Sequence, residues 1–380
     1  MNRWRWLGLA LFVAVGVLMI TSARPVVLAQ GKTDDKTKTP DKTNGKTPEK
    51  TNGKTPEKTD AKAAQKTEEK TKQKTEEKKQ TETPKAGGGE KMPFTAFDTK
   101  DKSFYQEQKT ETIQDMKVQG QAVKQTQKQT FLILWTVKDK KDGNYVVQQQ
   151  IKGVKMEIDI GGNKIEYDST KKNAKNPMTD FFEKLTDDKQ TLTFHISPKL
   201  KVTKIDGREE FIKNLSDINP QMKNLLNAIL SDKALQKMAE PTWWAYPPDG
   251  VVPADKKWEA KTSLELGPIG TYNTTFDFTY KGDNKIGIKS NLTYTAPAAS
   301  DKAGLPFVIE SATLSSKSGE GEAVYDPKAG RFSSTSLKMD IKGDLKIAVG
   351  NQTTTVELTQ KQETSSIISD TNPWADKKGN

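Results

Sequence analysis

From Met92 onward the apolar residues recur at every second position, and that period of two limits what the chain can become. Phe131, Ile133, Trp135 and Val137 fall on one side of an extended run, with Thr130, Thr136 and Lys138 among the opposite set. Val154, Met156, Ile158 and Ile160 repeat the scheme, with Lys155, Glu157 and Asp159 pointing away. Phe276, Phe278 and Tyr280 follow it, as do Leu337, Met339 and Ile341, then Leu345, Ile347 and Val349. A strand turns successive side chains to opposite faces, so this spacing buries one face and wets the other, the habit of antiparallel sheets. Turn-forming clusters separate the runs at Lys141-Asp142-Gly143-Asn144, Gly161-Gly162-Asn163, Lys281-Gly282-Asp283-Asn284 and Lys342-Gly343-Asp344. Several runs are long. The expected fold class is α+β, mainly β: a large curved antiparallel sheet or open barrel of long hairpins.

One segment changes period. Gly207-Arg208-Glu209-Glu210 opens a short helix through Leu215, and Asp217 to Pro220 starts a second. Met222, Leu225, Leu226, Ile229 and Leu230 then recur at helical spacing and continue to Leu235 and Met238, with a restart at Ser231-Asp232. This predicts a helical insert over 208–240, packed on the apolar face of the sheet or closing a cavity as a lid. A shorter helix is expected near Pro177 to Leu185. The insert divides 92–380 into halves of about 92–207 and 247–368. His195 to Val202 and Val324 to Phe332 each read strand, proline-lysine turn, strand, so the halves are either related by duplication or alike because all hairpin proteins favour Pro and Gly at turns.

The chain ahead of this region has another character. Arg3 and Arg5 precede an uncharged apolar run from Leu7 to Ile20, and Val27-Leu28-Ala29 offers a cleavage site, with Thr21-Ser22-Ala23 as an alternative. A helix over that run rises about 21 Å, short of the ~30 Å hydrocarbon core, which favours a cleaved signal peptide over 1–29 rather than a retained anchor. Residues 30–91 form a Lys/Thr/Pro/Glu low-complexity tail. KTPDKTNG, KTPEKTNG and KTPEKTDA recur there with a period of eight, and no Val, Ile, Leu, Met or aromatic residue lies between Gly31 and Gly89. Such a segment buries too little apolar surface to offset its ordering entropy, so disorder is expected. It reads as a spacer, or as an arm touching an anionic cell-wall polymer.

Charge and composition then exclude several functions. The net charge is +11, but the first thirty residues hold three arginines and no acid, and 31–91 holds 17 Lys against 12 Asp and Glu. Residues 92–380 are left at +3, which together with export argues against nucleic-acid binding. With no cysteine there are no disulfides, thiolate metal sites or cysteine nucleophiles. The single histidine, His195, alternates with Leu192, Phe194 and Ile196, which puts it on the wet face, and without Cys it provides no usual zinc set. No Gly-x-Ser-x-Gly, His-Glu-x-x-His or calcium-loop spacing occurs. No catalytic residue, metal site or cofactor is expected, although two acids meeting in space would suffice for a hydrolase.

The stretch Pro241-Thr242-Trp243-Trp244-Ala245-Tyr246-Pro247-Pro248-Asp249-Gly250 concentrates aromatics and prolines. Prolines donate nothing to a ladder, so this is an irregular crossing from helix to strand. Trp243, Trp244 and Tyr246 either plug the end of the sheet or form an aromatic platform. Adjacent residues of an extended chain point to opposite sides, so one tryptophan can face out while the other is core. Trp258 opens the next strand. Trp243, Trp244, Tyr246, Trp258, Phe276 and Phe278 are therefore the candidate ligand-binding residues.

Three segments carry a family resemblance. They are KMEIDIGGNKIEYDST (155–170), with an acidic residue and Ser after the strand, LTFHISPKLKVTKIDG (192–207), and PPDGVVPADKKWEAKTSLEL (247–266), with a proline-rich entry and a Trp before a strand. The order of elements resembles the secreted proteins, described only as a domain of unknown function, that are frequent in planctomycete bacteria. The third segment departs from that pattern by lacking a Gly before Asp255. The resemblance spans roughly 100–360 and implies an exported β-rich fold with no known activity. The architecture is also similar to the half-barrel lipoprotein carriers of bacterial envelopes. The expected protein is exported, periplasmic or extracellular, and non-enzymatic. It binds a lipid or other apolar ligand, or an envelope protein partner, on its concave sheet. The alternative is a structural or scaffolding envelope protein with a filled core.

Overall fold

Thirteen strands hydrogen-bond into one sheet among the residues that the computed structural model describes, 89–298, 305 and 307–375. The expected signal peptide and all but the last three residues of the low-complexity tail lie outside the described residues. The chain is already in place ahead of the expected boundary at Met92. Lys91 bridges to Val251, and Val252 N–H donates to Glu90 O at 2.9 Å.

The first half supplies β1 (Ser103–Val118), β2 (Gln121–Lys141), β3 (Asn144–Ile160), β4 (Asn163–Asp168), β5 (Thr191–Ile196) and β6 (Val202–Asp206). The second supplies β7 (Lys257–Glu265), β8 (Thr271–Gly282), β9 (Lys285–Thr295), β10 (Val308–Ala312), β11 (Ser315–Asp326), β12 (Arg331–Val349) and β13 (Gln352–Ser369). Their order across the sheet is β6-β5-β3-β2-β1-β13-β12-β11-β9-β8-β7, with β4 beside β3 and β10 beside β12. The chain thus starts at the centre, works outward to one edge, crosses to the opposite edge, and returns to the centre. The edge strands β6 and β7 do not pair, so the sheet is open and not closed into a barrel. The alternation holds in each run: Phe131, Ile133, Trp135 and Val137 are buried, as are Val154, Met156, Ile158, Phe276, Phe278 and Tyr280. His195 lies half-buried on the other face from Phe194, with Nε2 at 2.7 Å from Asp206 Oδ2.

The turns follow from their residues. Asp142 and Gly143 both take positive φ (50° and 77°), the conformation that two-residue hairpins prefer and that Asp-Gly supplies. The exception is Lys342-Gly343-Asp344, expected as a turn. Strand β12 runs straight through it. Its neighbour changes there instead: Lys342 faces Ser315 of β11, while Leu345 faces Ala312 of β10. The link between those strands crosses so closely that a Cβ on Gly343 would lie 2.6 Å from the Thr313 carbonyl oxygen. The glycine marks a close approach of backbone, not a reversal.

Four α-helices are described: α1 (Pro177–Leu185), α2 (Arg208–Ser216), α3 (Lys223–Ile229) and α4 (Asp232–Ala239). Asn176 caps α1, its Oδ1 accepting from Met178 N–H and Thr179 N–H at 3.0 Å, and Pro177 occupies the first turn, where no donor is needed. Ser231 caps α4 in the same way through Ala234 N–H. Helix α4 packs against both β6 and β7. The insert therefore joins the two unpaired edges, a clasp across the opening.

Candidate functional site

The clasp is tied down by aromatics that diverge from one short segment. Trp243 is buried against Phe97 and Trp135 of the first half, with ring centroids at 5.7 and 6.1 Å, and its indole N–H donates to Leu200 O at 2.7 Å. Trp244 turns the other way, onto Phe276 at 4.2 Å and Phe278 at 5.2 Å in β8. Tyr246 packs on Phe332 at 4.7 Å and donates its hydroxyl to Gly330 O at 3.2 Å. The two adjacent tryptophans do point to opposite sides, and each is matched by aromatics there. The segment is neither a plain plug nor an outward platform. It forms one wall of a cavity.

That cavity has a volume of about 730 Å³. It lies on the face of the sheet that carries the apolar periodicity, and its lining reaches from β7 to β1. In a flat sheet those strands, six steps apart, would stand roughly 29 Å from each other. One cavity touches both because the sheet curls around it. The apolar wall is formed by Trp244, Trp258, Phe276, Leu292, Leu337 and Met339. The inward side chains of β7, namely Trp258, Ala260, Thr262 and Leu264, are only half-buried because they face this space.

Five of the six candidate residues, Trp243, Trp244, Tyr246, Trp258 and Phe276, line the cavity. Phe278 does not. It shares the inward face of β8, but the Trp258 ring stacks on it at 5.5 Å and Trp244 covers it from another side, so it supports the wall from behind. Sequence reasoning missed the opposite surface. Gln106 and Gln108 of β1 and Thr364 and Ser366 of β13 form a polar, uncharged floor. Gln106 Nε2 donates to Ser366 Oγ at 3.0 Å, and Gln106 Oε1 accepts from Trp135 Nε1 at 2.9 Å. These positions alternate correctly but carry no apolar signal.

The cavity lining includes four lysines, three carboxylates and two tyrosines. Burial pushes the Tyr246 phenol far above its ordinary value, and burial followed by the neighbouring Tyr294 does the same to Tyr272. Both therefore stay neutral. Glu240 pairs with Lys237 at 2.9 Å and Glu259 with Lys261 at 2.9 Å. Among the described residues no group of three or more His, Cys, Asp or Glu is placed to hold a metal ion, and no helix is long and apolar enough to cross a membrane.

The model of a family described as "Family of unknown function (DUF6263)" matches residues 142–362. The match begins after β1, although β1 sits at the centre of the sheet. No curated protein is similar to the chain in sequence. Among solved structures it is similar to the one described as "lipid-protein interactions in lipovitellin", at TM-score 0.37 and 8% identity over 72% of this chain. The chain spans only 26% of that protein. It is also similar to the outer membrane protein OprG from Pseudomonas aeruginosa, at TM-score 0.19 and 12% identity over 71% of this chain and 97% of that one. The translocator domain of the autotransporter NalP from Neisseria meningitidis gives TM-score 0.19 and 6% identity, covering 71% and 89%. All three scores are low, and neither fold nor function is carried over from them.

Proposed function

The chain belongs to the DUF6263 family, whose function is unknown, and from that premise we propose that it is an exported, non-enzymatic protein that takes an apolar ligand into the cavity beneath its helical clasp. The observation that carries this reading is the cavity itself. Its 730 Å³ falls within the roughly 300–1,000 Å³ of small-molecule sites, and aromatic and aliphatic side chains make one wall. A purely structural envelope protein has no need to hold that much apolar surface away from a filled core, since close packing is what stabilises an interior. The half-buried inward face of β7 also suits a binder, because it is the surface that an acyl or other apolar group would cover. Export rests on the charged start and apolar run of the first thirty residues, and the periplasm or the cell exterior is the proposed location.

The test is native mass spectrometry on the full chain purified from an exporting host, followed by organic extraction. A co-purified apolar molecule, or a mass shift after incubation with envelope lipids, is the expected outcome. An unliganded mass that lipids leave unchanged would overturn the reading and favour the scaffold.

A further inference from the structure

The polar groups of the cavity are of two kinds, and the difference orients a ligand. Those on the floor are satisfied: Gln106 bonds to Ser366, Trp135 and Thr242, and Thr364 Oγ1 accepts from Gln362 Nε2 at 3.3 Å. The cationic groups of the lining are not all satisfied. Four lysines line the cavity, Lys199, Lys201, Lys237 and Lys261, against Glu240, Glu259 and Asp249. Lys237 and Lys261 are neutralised by their glutamates. Lys199 and Lys201 are exposed, sit together on the β5–β6 turn, and have no ion-pair partner among the described residues.

We infer that the ligand is an amphiphile with one apolar tail and an anionic head, a carboxylate or a phosphate ester. This deepens the proposed function and rests on it. The tail lies against Trp244, Phe276, Leu292 and Met339, where only dispersion and burial are on offer. The head stays at the rim with Lys199 and Lys201, because the floor carries no charged group and burying an unpaired anion there would be prohibitive. Ammonium groups are the donors that an anionic oxygen binds best, through charge-assisted hydrogen bonds.

The experiment titrates the full chain with three probes of equal tail length below their micellar concentrations, read by intrinsic tryptophan fluorescence. The probes are hexadecanoate, hexadecyl phosphate and the uncharged 1-hexadecanoylglycerol. The two anions are expected to bind about tenfold more tightly than the neutral ester, a single step on the affinity scale. That advantage shrinks as salt rises. The double variant K199Q/K201Q, which alters only exposed side chains, is expected to abolish most of the advantage and leave the neutral probe's affinity unchanged. Equal affinities for anionic and neutral probes would overturn the inference, as would a preference that survives in K199Q/K201Q. Failure of all three probes to bind would overturn the cavity reading beneath it, so the two failures are distinguishable.

Discussion

The Trp374 ring lies over the backbone of Gly153, on the face of the sheet away from the cavity. A Cβ at Gly153 would meet Trp374 Cζ3 at 2.4 Å, and only glycine lets the indole approach this closely. Its N–H then reaches Glu107 Oε2, and Lys155 Nζ stands 4.9 Å from the ring. Gly153→Ala is expected to dislodge the ring and cost about 1–3 kcal/mol through overpacking. Trp374→Ala should cost a comparable amount, and the two changes together clearly less than their sum. Urea unfolding of the four proteins in the cycle measures this. Strict additivity would mean that the contact does not matter.

Trp243 holds the clasp by two means, its ring and its N–H. Trp243→Phe keeps most of the ring but leaves the Leu200 carbonyl without its donor, an expected loss of about 1–3 kcal/mol. Trp243→Ala removes the ring from among Phe94, Phe97 and Trp135 as well, and is expected to cost about 3–5 kcal/mol. Within residues 92–380, limited proteolysis should then cut first in the insert, at 208–240. A cleavage pattern identical to that of the parent would show that the clasp is held by other contacts.

Asp168, the last residue of β4 and the acid of the Asp168-Ser169 pair, gives a pH dependence. Burial pushes its carboxyl up, but hydrogen bonds from the Thr170 hydroxyl at 2.6 Å and the Thr170 N–H at 2.9 Å, with Lys155 at 3.2 Å, outweigh that, and the net shift is downward. A folded pKa below the unfolded value of about 3.9 favours the fold in full above that value and ceases to do so as pH falls through the folded pKa. The stability difference between the parent and Asp168→Asn should therefore be constant from pH 7 down to about 5 and shrink as pH falls further. Chemical denaturation at stepped pH values checks it. A difference that persists unchanged at pH 3 would show that ionisation of Asp168 plays no part.

Much of this architecture was legible in the sequence, for a definite reason. Period two reports a face that is apolar inside, so β2, β3, β8 and β12 announced themselves, and the helical spacing and Ser231-Asp232 restart located the insert. The central strand β1 did not, because its inward positions include Gln106, Gln108, Thr110, Thr112 and Gln114. Polar residues alternating with polar residues give no periodic signal. The same blindness hid the cavity floor. Lys199 and Lys201 read as ordinary turn lysines, and nothing local says that their turn ends at the rim of a cavity whose far wall is β7 and β8. Phe276 and Phe278 could not be told apart by parity, since the distinction between lining and support depends on where Trp258 and Trp244 come to rest.

The seam between β1 and β13 has a consequence for how the chain reaches this state. Gln114 donates to Gln360 at 2.6 Å and accepts from Gln125 at 2.7 Å, so one amide links a partner 11 positions away to one 246 positions away. Strands β1 and β2 pair as soon as their hairpin closes, but β1 keeps one open edge until the last strand in sequence arrives. Pairing across such a separation is intrinsically slow, and an open edge invites other strands in the meantime. The topology predicts that the β1–β13 seam closes late, and the amides of β1 stand along that edge: groups that water can satisfy, and that give a stray hydrophobic segment little to adhere to. A polar row along β1 is thus a poorer template for stray hydrophobic segments than an apolar one would be.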